Sequence, residues 1–356
     1  LAINNSLDDI NLRCRVYGVY AFYIKPWQNS FENSMELLEE GIQAGRKSGD
    51  LIGRYILKTH QLNLHFLSGL SIMELLKWDY EESYSDVELT YYITHYQKSL
   101  IRFLIGESPI FSIPRQQPSW LAGKLTIQEE KFYRNYVWAR YYFLFGHYEL
   151  AEIAAREANA NKKLQEGSPL VPENMVIWFL SITQNWGNFS KFHTTELLSQ
   201  LQEILKYFDL WKANAPSNYN SLWWLMNAEW LRINGEIQLA EEHYLKSLAT
   251  AGNNNYNAAI ANELFARHLL NLPDQQAEVV QYLLKSIDLY EKWGAVAKSR
   301  QIIQQYQSIL LEQYPEKQQM DIETIQHELS GDLEVASLVK KLLVLLLRIS
   351  GSTRVV

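Results

Sequence analysis

Two alanines twelve residues apart, met twice in the same setting, constrain this chain more than any other feature. Ala139 and Ala151 stand in one run, Ala228 and Ala240 in another. A glycine separates each pair, Gly146 in the first and Gly235 in the second. Apolar residues around them recur three and four apart, the spacing of a helix with one buried face. A small residue on each of two helices lets their backbones approach where they cross. A glycine between them ends the first helix, because it reaches positive φ without a Cβ clash. The pattern predicts antiparallel helix pairs joined by tight turns.

The spacing fits the thirty-four-residue tetratricopeptide (TPR) pattern. With Ala228 as its eighth position, Trp224, Leu231, Gly235, Ala240, Tyr244 and Ser247 take the fourth, eleventh, fifteenth, twentieth, twenty-fourth and twenty-seventh. With Ala139 as the eighth, Tyr142, Gly146, Tyr148, Ala151, Ala155 and Ala158 follow in register. The large residues are expected to fill the space beside each crossing. A looser third copy carries Leu284-Lys285-Ser286 where the second has Leu245-Lys246-Ser247, with Val279, Leu283 and Ile287 on one helical face. The alternative is a set of ordinary helical hairpins that share an alanine spacing.

The rest of the chain reads as more helices. They are expected over 11–23, 30–48, 51–67, 72–84 and 86–105, with Ser30 as an N-cap and a stop at Gly49. Pro109, Pro114 and Pro118 interrupt the pattern. Further helices are expected over 127–145, 148–163, 172–186 and 195–212, then through the central repeat and on to 311. No run alternates with period two for long enough to make a strand. The expected organisation is N-terminal helical hairpins over 1–107, a Pro-containing loop over 108–126, TPR-like repeats over 127–312 and a polar linker over 313–332. The expected fold is all-α, a TPR-like α-solenoid of antiparallel hairpins.

Composition bounds the function. The 356 residues carry 33 Lys and Arg against 40 Asp and Glu, a net charge of −7. That balance, without a basic stripe, argues against a nucleic-acid partner. One cysteine, Cys14, excludes an internal disulfide and a thiolate metal site. It is expected to be an inert core thiol in a reducing compartment, so a cytoplasmic location is expected. The apolar run Leu342 to Leu347 is too short to span a bilayer, and no membrane insertion is expected.

Candidate chemistry is sparse. There is no phosphate-binding loop of the Gly-x-x-x-x-Gly-Lys-Ser/Thr type and no His-Arg-Asp kinase loop. His60 and His65 are five apart, poor ligand spacing on a helix, and are expected at a surface or an edge. His243 is expected to face outward. The pairs Glu39-Glu40, Glu81-Glu82 and Glu241-Glu242 are adjacent, so each pair diverges around its helix. His327-Glu328 resembles a phosphoacceptor pair, but Ser330-Gly331 stands where arginine and proline usually follow. No catalytic residue, cofactor or metal is expected.

What remains is a recognition surface. The second, fifth, ninth and twelfth positions of each first helix line the inner face of a TPR superhelix. Here they are Tyr133, Tyr136, Arg140 and Phe143, then Leu222, Leu225, Glu229 and Arg232. An apolar, aromatic groove of this kind suits a protein segment or a neighbouring domain. The same residues would equally serve to pack against adjacent helices. A small-molecule ligand has no specific support.

Several runs resemble one family. They are Glu39 to Leu51, Leu121 to Gly123, Tyr142 to Tyr148, Ala258 to Ala266, and Leu289 to Lys298 with its Trp293-Gly294-Ala295 turn. Together they resemble the helical middle region of large signalling proteins common in cyanobacteria. Those proteins join a serine/threonine kinase, a STAND-type AAA ATPase, a TPR-like segment, a GAF domain and a histidine kinase or related output domain. By the same resemblance, 333–356 is similar to the first helix and strand start of a truncated GAF domain. The chain, beginning at Leu1 and ending at Val356, then reads as a piece of a longer protein. The resemblance implies a non-catalytic regulatory and protein-interaction module that couples an input to neighbouring catalytic domains. The alternatives are a free-standing TPR adaptor and the inducer-sensing helical domain of a STAND-type transcription regulator.

Overall fold

A computed structural model describes residues 9–77, 88–111 and 127–312. Among them the structure is all-helical, with fourteen α-helices and no strand. The expected linker, the GAF start, the pair His327-Glu328 and residues 112–126 lie outside the described residues.

The first three helices form a tight trio. α1 (Ile10–Val19) runs into a π-helical turn at Tyr20–Ile24, and Pro26 follows in a short 3-10 turn. α2 (Met35–Ser48) ends at Gly49, whose φ of 75° is left-handed. α3 (Leu51–Leu67) is capped by Asp50, whose carboxylate accepts the Gly53 N–H at 3.0 Å. Ser30 makes no capping bond with its side chain. The chain there enters a 3-10 turn, Phe31–Ser34, before α2 begins. All three helices touch one another. Gly45 and Gly53 close around Cys14, where an added Cβ would come within 2.9 and 2.8 Å of its sulfur. Close approach explains two glycines in helices that their propensity would weaken.

α4 (Glu88–Leu104) follows, and then the paired helices. These are α5 (Ile127–Leu144) with α6 (Tyr148–Ala160), then α7 (Leu170–Gln184) and the long α8 (Lys191–Asn214). α9 (Pro216–Ile233) pairs with α10 (Ile237–Thr250), and α11 (Asn255–Leu269) with α12 (Gln276–Trp293). α13 (Val296–Gln305) and α14 (Gln307–Glu312) close the described chain.

The alanines that predict the pairs are all fully buried. Gly146 and Gly235 turn the chain between helices at φ 78° and 82°. The Leu-Lys-Ser recurrence also has a physical meaning. Ser247 Oγ donates to Ser221 O at 2.9 Å, and Ser286 Oγ donates to Ala259 O at 2.9 Å. Each serine ties a second helix to the backbone of its first. Tyr244 and Leu231 are buried as expected, but Trp224 is half-exposed. It packs edge-on against His243 with ring centroids 4.8 Å apart, and so covers an edge rather than filling a crossing.

The N-terminal helices do not stand apart from the pairs. Residues 26–31 meet the start of α9, and residues 67–69 meet the start of α11. Ile72 and Met73 pack on Gly294, where a Cβ would lie 3.1 and 3.0 Å from their side chains. α4 packs on α13.

Candidate functional site

The eight residues expected to line a groove are mostly interior. Tyr136, Arg140 and Glu229 have no exposed surface, Leu225 retains 1%, and Tyr133, Phe143 and Leu222 are buried. Arg232 alone keeps appreciable exposure, 24% of its side chain. An open groove at these positions is therefore corrected to a covered one. The cover comes from residues remote in sequence. Phe66 of α3 lies over the Arg140 guanidinium, its ring centroid 4.1 Å away. Phe31 and Leu67 close a small cavity whose other walls include Phe143, Leu222, Tyr256 and Ile260. The cavity leaves about 20 Å³ for the centres of water-sized molecules, room for a single water.

At the centre is a bound pair of charges. Arg140 Nε donates to Glu173 at 3.0 and 3.1 Å, and Nη1 donates to Gln97 Oε1 at 2.7 Å. Nη2 and the Tyr136 hydroxyl also donate to Glu173, as does Tyr256 at 3.2 Å. The guanidinium is sandwiched between the rings of Phe66 and Tyr136. Burial acts to lower the Arg140 pKa, but Glu173 overcomes it and the charge is held more firmly than in water. Burial, with Glu173 beside it, drives the Tyr136 hydroxyl well above its ordinary range, so it stays a donor.

The same arrangement recurs on later helices. Glu229 accepts from Arg232 Nε at 3.1 Å and from the Tyr244 hydroxyl, while Arg232 Nη2 donates to Thr183 O at 2.7 Å. Burial would raise the Glu229 pKa, yet Arg232 and the hydrogen bonds hold it below the usual carboxylate range. Glu263 accepts from Lys298 Nζ at 2.7 Å and from the Tyr290 hydroxyl at 2.9 Å. Burial lowers the Lys298 pKa against the pull of Glu263. One glutamate on each of α7, α9 and α11 thus takes a cation and at least one tyrosine. Glu229 and Glu263 stand thirty-four residues apart, on the first helices of two successive pairs. The sequence reading missed this motif as a set. Glu229 and Arg232, three apart on one helix, were its local sign.

These groups are placed to brace, not to react. A buried carboxylate held by a cation and by one or more phenol donors is stabilised in its charged form and is a weak base toward a substrate proton. Such ion pairs perturb pKa values without implying catalysis. Among the described residues no group of three His, Cys, Asp or Glu side chains could hold a metal ion. No described helix is long and apolar enough to cross a membrane. Cys14 is buried, and burial raises its thiol to about 11. His60 is not at an edge. It stacks on Phe22 at 3.9 Å, and burial pushes its pKa down to about 3. Its partners lie thirty-eight residues earlier, beyond any local pattern. His65 is half-buried beside Ser71 O at 2.9 Å.

The most site-like feature is the seat that holds residues 26–31. Pro216 at the first position of α9 sets the start of that helix. Asn218, in the same turn, faces the N-terminal segment. Its Oδ1 accepts the Phe31 N–H at 3.1 Å, and its Nδ2 donates to Pro26 O at 2.7 Å and Asn29 O at 2.8 Å. One amide thus reads three backbone groups. Trp27 packs among Trp211 and Tyr219, both with centroids 5.6 Å away, and its indole N–H donates to Gly167 O at 2.8 Å. Phe31 meets Tyr219 edge-on at 6.2 Å. At the start of α11, Asn254 Nδ2 donates to Leu67 O at 2.7 Å and Asn255 Nδ2 to Gly69 O at 3.1 Å.

Comparison of the chain with protein-family models, with curated proteins and with solved structures yields no match.

Proposed function

We propose that this chain is a non-catalytic regulatory module, a TPR-like α-solenoid that works through protein contacts within a signalling protein. The observation that carries the reading is the grip of Asn218 on residues 26–31. A side chain of α9 reads the backbone of a remote segment, and aromatic rings of α8 and α9 receive its anchors. That is how helical-repeat surfaces hold protein ligands, and here the ligand is part of the same chain. The pairing of each buried glutamate with a cation and a phenol supports a bracing role over a catalytic one.

The resemblance supplies the context. In a protein with STAND ATPase, kinase and GAF domains, the module would couple an input to the catalytic neighbours. It would act in the cytoplasm, a reading the lone buried cysteine supports. Coupling requires that the input bind two states of the module with different affinity. The covered and uncovered forms of the inner face are the two states proposed. The test is made in the longer protein that the resemblance expects. Asn218→Ala is expected to change ATP hydrolysis or kinase output by severalfold. Outputs equal to those of the native protein, with and without the module, would overturn the coupling.

A further inference from the structure

We propose that the seat on α8 and α9 is a peptide-recognition site for a partner segment of the form Pro-Trp-x-x-x-aromatic, and that residues 26–31 are its stand-in within the chain. The proposal rests on the reading of the chain as a protein-interaction module and names what one of its surfaces takes.

Three features point to a ligand rather than to ordinary packing. First, the contacts are those of peptide recognition. Asn218 reads two carbonyls and one N–H of the segment, bonds that any sequence can make, and Trp27 and Phe31 supply the side-chain anchors. Second, the segment presents itself as a short turned peptide. Gln28 and Asn29 N–H both bond to Lys25 O at 3.0 Å, which turns the chain between its two anchors, and Pro26 is buried beneath. Third, the fit is incomplete. The Tyr219 hydroxyl is buried without a hydrogen-bond partner, although its ring touches both anchors. Leaving such a group unpaired is costly. Phe31 and Tyr219 both line the small cavity. A segment that fills this space and satisfies the hydroxyl would bind better than the chain's own residues and replace them.

The experiment uses the full chain with Trp27→Ala and Phe31→Ala, which removes both aromatic anchors from the seat. A labelled synthetic peptide with the sequence of residues 24–34 is titrated in, and its fluorescence anisotropy is followed. Saturable binding is expected, at least tenfold tighter than to the native chain, where the seat is filled. Adding Asn218→Ala should weaken it at least tenfold, and a peptide lacking both aromatic rings, which has no advantage over the variant's own segment, should not bind. Absence of binding to a variant that still unfolds cooperatively would overturn the proposal, as would binding indifferent to Asn218→Ala. If the double variant does not fold, the native chain is treated with excess peptide carrying a photoreactive phenylalanine at the position of Phe31. Crosslinks are expected to Tyr219, Leu222 and the walls of the cavity at Phe143, Tyr256 and Ile260, and crosslinks away from these or none would overturn it. A failure here leaves the coupling test in the longer protein untouched, so the two readings fall separately.

Discussion

The trio α1–α3 and the later helix pairs both pack on buried apolar side chains but are held by different devices. In the trio, glycines let helices close on Cys14 and Leu57, and the core is apolar and tight. Its ion pair Arg15–Asp50 lies outside, with the arginine 69% exposed. The later pairs carry Glu173, Glu229 and Glu263 inside, each matched by a cation and tyrosine hydroxyls. A tight apolar core punishes added volume. A buried ion pair adds little net stability, yet losing one member strands the other charge. The first region should therefore be sensitive to volume and the second to charge.

The largest effect is expected from Arg140→Ala. It leaves Glu173 buried with phenol donors alone and should cost about 3–5 kcal/mol on urea unfolding. A loss below about 1 kcal/mol would show that the brace contributes nothing and would break the contrast. Gly69→Ala comes next. Gly69 sits at φ 67°, and a Cβ there would lie 2.6 Å from Asn255 N at the start of α11. Strain and collision together should cost about 2–4 kcal/mol. The loss should also loosen the contact between the two regions, read as faster hydrogen exchange at residues 67–69.

Titration sharpens the contrast, because His60 in the trio and Glu291 in the later pairs are shifted in opposite directions across the range from pH 5 to 7. His60 in the trio is lowered by burial to about 3 from an ordinary 6.5. The unfolded chain takes up a proton that the folded one refuses. Its contribution is complete above pH 6.5 and is lost as pH falls toward 3. Glu291 on α12 is raised by burial to about 7, against the Ser299 hydrogen bond, from an ordinary 4.5. There the folded chain holds a proton that the unfolded one releases. That contribution is present below pH 4.5 and is lost as pH rises through 7. Between pH 7 and 5 the His60 contribution is worth about 2 kcal/mol, and that of half-buried Glu291, screened by solvent, is smaller and opposite in direction. Relative to the native chain, His60→Phe should gain stability on acidification and Glu291→Gln should lose it, measured as urea midpoints at the two pH values. The smallest effect belongs to Trp224→Ala. A half-exposed ring against His243 should cost about 1 kcal/mol, well short of a crossing residue.

Much of the helical order was legible because it is local. The paired alanines, the turn glycines and the Leu-Lys-Ser recurrence each report contacts within a hairpin, and burial agrees with them. The inner face was not legible for the opposite reason. Tyr136, Arg140 and Leu222 occupy positions that face inward, and periodicity stops there. What lies over them comes from Phe31, Phe66 and Leu67, and the bonds from Asn218 to the N-terminal segment span 187 to 192 residues. No local pattern encodes a contact of that separation. Arg140 and Glu173 likewise sit on different helices, so the charge of each gave no sign of its mate. Trp224 shows the converse error: a residue type suited to a crossing was assigned one, although its neighbours leave it half outside.

The central claim is that the chain covers its own inner face with residues 26–31 held by Asn218. Hydrogen exchange of the native chain and of Asn218→Ala, followed by mass spectrometry, tests it most directly. The Phe31 amide donates to Asn218 Oδ1 at 3.1 Å and should exchange slowly in the native chain. In the variant, protection should fall at least tenfold over residues 26–31, while α2, α3 and α9 keep theirs. Equal protection of that segment in both proteins, or fast exchange there in the native chain, would contradict the account.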